Sequence, residues 1–254
     1  MSENMRVWIE IGFNLTYLIV IWGLVVAMIH NRKQVAADDR RAASLVTWAF
    51  VLLALGDTGH VGFRVLAYSL GGLETSINVL GLQLGLVGLG ALSTAITVTI
   101  FYMLMLELWK VRFNQQYGIF EYLLLAVGLI RLAIMLLPMN QWDSVIPPQP
   151  WSMIRNLPLM LQGLGVAYLI LRDSIKNQDR VFRWIGVMIL VSYVFYIPVI
   201  LFVQQQPAIG MLMIPKTIAY VVIGFLAYHD LYQVGSAHPE HINDDNKIAD
   251  ALEA

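Results

Sequence analysis

The sequence predicts an all-α fold, a seven-helix transmembrane bundle with its N-terminus outside and its C-terminus in the cytoplasm. Of the 254 residues, 58% are hydrophobic and 13% are charged, whereas a soluble domain carries about 25% charged residues. The apolar residues fall into long blocks, and about 20 such residues span a bilayer core of about 30 Å. The chain is therefore predicted to be a multi-pass integral membrane protein.

Seven apolar blocks follow one another along the chain, and each is predicted to be a transmembrane helix. No small-residue cleavage site follows the first block, so we interpret it as a retained helix rather than a signal peptide. Residues 1–234 are predicted to form the transmembrane domain, and the polar residues 235–254 a disordered cytoplasmic tail. The predicted spans are 7–29, 45–69, 78–106, 119–139, 153–171, 184–203 and 208–228.

The third block contains several glycines at short spacing, in the sequence GLQLGLVGLGALSTA. Small residues at this spacing allow helix backbones to approach closely in a membrane. A nucleotide-binding loop is a poor alternative, because no strand precedes the glycines and no phosphate-binding lysine follows. We therefore expect a closely packed central helix at Gly81, Gly85, Gly88 and Gly90.

The distribution of cations between the connections predicts the orientation. The predicted outer side of the bundle has few cations beyond Arg6 and Arg155, both near helix ends. Cytoplasmic loops carry an excess of lysine and arginine, and a bacterial inner (plasma) membrane is the expected location. The cations on the predicted cytoplasmic side are Arg32, Lys33, Arg40 and Arg41 in 30–44, and Arg172, Lys176, Arg180 and Arg183 in 172–183.

Composition excludes several function classes. The net charge is −1, so nothing indicates a nucleic-acid partner. The chain has no cysteine, which excludes disulfides and thiolate catalysis. No metal site is predicted, no cofactor is indicated, and the oligomeric state is left open.

Ionisable and amide side chains interrupt the apolar blocks at similar depths. Asp57, His60 and Arg64 are spaced i, i+3 and i+7, so a helix places them on one side. A charged group at the bilayer centre costs about 2.5–3.5 kcal/mol on insertion scales, so these groups are expected to face inward and meet. The predicted ligand-binding residues of this outer-half chamber are Glu10, Asn14, Asp57, His60, Arg64, Arg131 and Lys216.

The charges in the predicted chamber indicate what it binds. Three cations stand against two carboxylates, leaving one cation unmatched if His60 is neutral. The expected partner is therefore a membrane lipid or a small amphiphilic or anionic ligand. A purely structural alternative stays open, in which Asp57 pairs with Arg64 or Arg131 and His60 is a neutral core residue.

An intramembrane lipid-modifying hydrolase is a second possible function. Asp57 and His60, at i and i+3, would be the catalytic pair, with His60 as general base and Asp57 orienting it. No other membrane histidine lies at that depth, so a zinc hydrolase would lack ligands.

A third possibility follows from a resemblance. Seven helices, an outside N-terminus and Lys216 in the last helix resemble the architecture of retinal proteins. The resemblance implies a photoreceptor or ion pump acting through Lys216. The motifs depart from those of microbial rhodopsins, because the third helix has no acid before Glu107 and Leu212 lies one turn before the lysine. Asp57 would have to act as counterion. Transport and a structural role complete the alternatives.

Overall fold

The computed structural model describes residues 3–79, 82–145 and 148–234. These contain seven α-helices and one short antiparallel β-hairpin. The helices are α1 (Glu3–Asn31), α2 (Arg40–Ser69), α3 (Leu86–Arg112), α4 (Ile119–Met135), α5 (Trp151–Lys176), α6 (Arg180–Phe202) and α7 (Met213–Tyr228). The strands are β1 (Ser76–Val79) and β2 (Leu82–Gly85), with Ser76 opposite Gly85 and Val79 opposite Leu82.

Six helical segments in the described residues are long and apolar enough to cross a membrane: Gly12–Gln34, Arg40–Ser69, Leu86–Arg112, Trp151–Lys176, Arg180–Phe202 and Ala208–Gln233. Their outward faces expose large apolar side chains, such as Ile19, Val26 and Val194. Contiguous apolar surface of this extent is unfavourable in water and suits lipid contact. The chain therefore has the helices of an integral membrane protein.

α4 is the exception in length. It has 17 residues, which extend about 25 Å at 1.5 Å per residue. Pro138 follows shortly, and the residue before it, Leu137, is extended (φ −72°, ψ 134°), as expected before proline. The predicted span 119–139 was therefore too long at its C-terminal end.

The prediction was also wrong at the start of the third helix. The third span was placed at 78–106, but 76–79 and 82–85 form the hairpin and α3 begins at Leu86. Alternating polar and apolar residues such as SINV and LQLG suit a two-stranded ribbon. The seventh span, predicted at 208–228, lies within the helical segment Ala208–Gln233. That part of the chain starts with the 3₁₀ segment Pro207–Leu212 and continues as α7 from Met213.

Small residues allow close contact between α2 and α3. A Cβ atom added to Gly90 would lie 3.0 Å from Cα of His60, and one added to Gly56 would lie 1.8 Å from Oγ1 of Thr97. Gly88 instead faces the main chain of Trp142, in the α4–α5 connection. The expected close packing is therefore present at Gly88 and Gly90 in α3. Gly85 ends the hairpin and also packs closely, with an added Cβ 2.8 Å from the carbonyl oxygen of Asp143, and Gly81 lies outside the described residues.

The two ends of the bundle differ in chemistry. We call the end with connections 70–85, 136–150 and 203–212 the hairpin end, and the end with connections 32–39, 113–118 and 177–179 the basic end. At the basic end, Nε of Arg112 donates to Oδ2 of Asp179 over 2.9 Å. Its terminal nitrogens lie 3.6 Å from Oδ1 of Asp39 and 3.1 Å from Oδ2 of Asp230. One guanidinium thus joins α3 to segments beside α2, α6 and α7.

The tail predicted at 235–254 lies outside the described residues, and its disorder stays a prediction.

Candidate functional site

A cavity of about 490 Å³ opens among the helices toward the hairpin end. Its deep part is lined by Leu53, Val98 and Tyr220, and its opposite part by Val203 and Met211 in the α6–α7 connection. Small-molecule sites typically have volumes of about 300–1,000 Å³. The cavity is therefore large enough for a small ligand or the head of a lipid.

Six of the seven predicted site residues line this cavity: Asn14 from α1, Asp57, His60 and Arg64 from α2, Arg131 from α4 and Lys216 from α7. The seventh, Glu10, lies in α1, and its side chain is outside the described part of the chain. The structure thus brings residues more than 200 positions apart to one chamber. Their ligand-binding role stays a prediction.

Asp57 is held by a tyrosine. The hydroxyl of Tyr17 on α1 donates to Oδ2 of Asp57 over 2.6 Å. In the described residues Asp57 forms no ion pair with Arg64 or Arg131, and no hydrogen bond joins it to His60. The structural pairing considered from the sequence is therefore replaced by an α1–α2 hydrogen bond to a neutral donor.

His60 packs against the start of α3. Its Cα and carbonyl oxygen face Gly90, and its Nδ1 atom is buried with no hydrogen-bond partner among the described residues. A buried imidazole nitrogen without a partner is costly. The cavity beside it is the place from which a ligand or water could supply that partner.

Arg131 acts as a clamp between three helices. Its Nε donates to the carbonyl oxygen of Arg155 over 2.9 Å, and Nη1 donates to the carbonyl oxygen of Ala95 over 2.7 Å and to the hydroxyl of Thr99. Nη2 lies 3.5 Å from Oδ1 of Asn156. Every acceptor is neutral, so the guanidinium joins α4 to α3 and α5 while its charge stays unmatched. Only 1% of Arg131 is exposed.

Lys216 stands between aromatic rings. Its Nζ lies 4.4 Å from the ring centroid of Tyr196 on α6 and 5.4 Å from that of Tyr220 on α7. Within the described ranges it makes no hydrogen bond and no ion pair. Cation–π contacts of this kind are worth about 0.5–2 kcal/mol. The ammonium lines the cavity together with Asp57, but no described carboxylate lies within ion-pair distance of it.

Sequence reasoning missed Arg155, which it placed near a helix end. Arg155 is 8% exposed, its guanidinium lies 4.5 Å from the Trp142 ring centroid, and it lines the cavity. Its side chain donates no hydrogen bond to any described residue. The connection 136–150 brings Trp142 over the cavity, and no pattern in the sequence specifies that fold.

The lining of the cavity combines charged and apolar side chains. The charged and imidazole groups come from α2, α4, α5 and α7, and they are Asp57, His60, Arg64, Arg131, Arg155 and Lys216. The end of α6, the 3₁₀ segment and the start of α7 contribute the apolar side chains Val199, Ile200, Val203, Met211, Met213 and Ile214. A molecule with one charged and one apolar end complements such a lining.

No protein-family model matches this chain, and no curated protein or solved structure matches it either.

Proposed function

We propose that this chain is a seven-helix membrane protein whose chamber at the hairpin end binds an anionic amphiphile or lipid. The observation that carries the proposal is the presence of several cations and a set of apolar side chains in the lining of one cavity. Lys216 and Arg155 line this space, and their side chains make aromatic contacts and no hydrogen bond among the described residues. A bound anion would supply the hydrogen-bond acceptors that both side chains can use.

The proposal includes α4 as a seventh span and places the hairpin end outside. A helix of 17 residues is at the short limit of known spans. The basic end holds the connections rich in lysine and arginine, which supports a cytoplasmic position for it. Cell fractionation of a bacterial host would test the expected plasma-membrane location.

Absence of cysteine from the chain allows a direct test of orientation. Glu74 at the hairpin end and Asp38 at the basic end are both exposed. We expect a membrane-impermeant maleimide to label Glu74→Cys in intact cells and to label Asp38→Cys only after the cells are opened. The reverse pattern would show that the hairpin end is cytoplasmic.

Ligand binding is tested by purification in mild detergent and mass spectrometry of the bound small molecules. We expect an anionic amphiphile to be retained by the wild-type protein and by Lys176→Gln, which changes an exposed lysine at the basic end. Lys216→Gln should lose the bound molecule and the thermal stabilisation that the same molecule gives on re-addition. Equal retention by both variants would remove the proposal.

The geometry favours binding over hydrolysis, because Asp57 is engaged by Tyr17 and is not hydrogen-bonded to His60 among the described residues. The retinal alternative draws support from Lys216, which lines a cavity beside two tyrosine rings. Absorbance of the protein incubated with retinal tests it, and a colourless sample would end that alternative.

A further inference from the structure

Cations outnumber carboxylates among the described residues that line the cavity. Apart from Arg64, which has an interaction partner of its own, they are Arg131, Arg155 and Lys216 against Asp57, which is an excess of two cations if His60 is neutral. Uncompensated charge in a medium of low dielectric constant is costly, so the occupant that offsets it best carries two negative charges.

Two of the three cations are available to such an occupant. The guanidinium of Arg131 already donates to oxygens of α3 and α5. Among the described residues, Arg155 makes a ring contact with Trp142 and Lys216 makes ring contacts with Tyr196 and Tyr220, and neither side chain donates a hydrogen bond there.

Tyr196 links these two cations in space. Lys216 Nζ lies over its ring at 4.4 Å, and its hydroxyl donates to Oδ1 of Asn156, the neighbour of Arg155, over 3.2 Å. Tyr196 also lies within electrostatic range of both Arg131 and Arg155. The side chains of Lys216 and Arg155 therefore both lie near Tyr196.

We infer that the head of the amphiphile is a phosphomonoester, held by Arg155 and Lys216. This inference rests on the proposed function and adds the chemical class of its ligand. A phosphomonoester carries a charge of about −1.5 to −2 at neutral pH and three acceptor oxygens. Arginine binds phosphate through two parallel hydrogen bonds, and lysine acts as a point charge beside it. A carboxylate or a phosphodiester would offset only one of the two excess charges.

Ligands that share a dodecyl group and differ in the head group test the inference. The affinity of the purified protein for dodecyl phosphate, methyl dodecyl phosphate, dodecanoate and inorganic phosphate is measured at a pH above the second phosphate pKa of about 6. Methylation removes one charge from the phosphate and leaves the alkyl chain unchanged. We expect the monoester to bind at least about tenfold more tightly than its methyl ester, which equals about 1.4 kcal/mol.

Substitutions of Arg155 and Lys216 test whether these two side chains hold the head group. Arg155→Gln and Lys216→Gln should each reduce the monoester-to-diester preference to near one, whereas Lys176→Gln should keep it. Arg155→Lys and Lys216→Arg retain the charge and should recover part of the preference, which separates loss of charge from a folding defect. A preference retained in both glutamine variants would overturn the inference.

The outcomes separate this inference from the proposed function. Equal affinity for the monoester, diester and dodecanoate would overturn the phosphomonoester head and leave an anionic-amphiphile site standing. Failure of every anionic probe to bind would overturn the proposed function itself. Inorganic phosphate that competes as well as dodecyl phosphate would support the head group and overturn the requirement for an apolar chain.

Discussion

Tyr17 on α1 donates a 2.6 Å hydrogen bond to Oδ2 of Asp57 on α2. The tyrosine is 7% exposed, and both residues line the cavity. The bond therefore fixes the position of a carboxylate in the same cavity as Lys216, and it joins α1 to α2.

Removal of this donor should destabilise the protein. Tyr17→Phe leaves a carboxylate oxygen without its partner, and we expect a loss of about 1–3 kcal/mol in the free energy of unfolding. Asp57→Asn keeps an acceptor for the tyrosine and should cost less. The measurement is the thermal unfolding midpoint in detergent, with exposed Tyr68→Phe as control. Equal midpoints for Tyr17→Phe and wild type would show that the bond contributes nothing.

Arg131 should not tolerate lysine. A lysine ammonium cannot reach the carbonyl oxygens of Ala95 and Arg155 together with Thr99, because it lacks the planar fork of guanidinium. We expect Arg131→Lys to lose about 2 kcal/mol or more of stability.

A double-mutant cycle with Thr99→Val checks this role. Thr99→Val should be more destabilising in the wild type than in the Arg131→Lys background, where the hydrogen bond from Arg131 is already gone and the valine removes only the bond from the hydroxyl to the Ala95 carbonyl oxygen. Strict additivity of the two changes would contradict a direct Arg131–Thr99 interaction.

Gly56 should be sensitive to a single added methyl group. The Cβ atom of Gly56→Ala would lie 1.8 Å from Oγ1 of Thr97, which forces α2 and α3 apart. Gly23 has open space around its position, so Gly23→Ala should be neutral or stabilising by up to about 1 kcal/mol. Thr97→Ala should restore part of the stability lost in Gly56→Ala. The measurement is the thermal unfolding midpoint. A higher midpoint for Gly56→Ala than for Gly23→Ala would mean that α2 and α3 are not in this close contact.

Arg112 should stabilise the basic end. Arg112→Gln leaves Asp39, Asp179 and Asp230 without their shared cation. The arginine side chain is 23% exposed, so we expect a loss of about 1–2 kcal/mol, below the 3–5 kcal/mol of a fully buried pair. Limited proteolysis from the basic end should accelerate. Arg172→Gln, which removes a pair with Asp173 alone, is the matched control and should have the smaller effect.

Much of the architecture could be predicted from the apolar blocks, because a bilayer accepts only long apolar helices with satisfied backbones. The errors lie where a β-hairpin or a proline interrupts an apolar block that was predicted to be one continuous helix. The hairpin at 76–85 replaced the start of the third predicted span, and Pro138 shortened the fourth. Block length alone does not distinguish a helix from these alternatives.

By itself, the sequence determined that charged residues in several apolar helices must turn away from lipid toward a shared interior, because exposure to hydrocarbon is too costly. The tertiary structure decided which groups meet. It paired Asp57 with Tyr17, directed Arg131 to neutral oxygens, and placed Arg155 under Trp142. These contacts depend on the rotation and separation of packed helices. Residues far apart in the chain determine both, so no local sequence pattern encodes them.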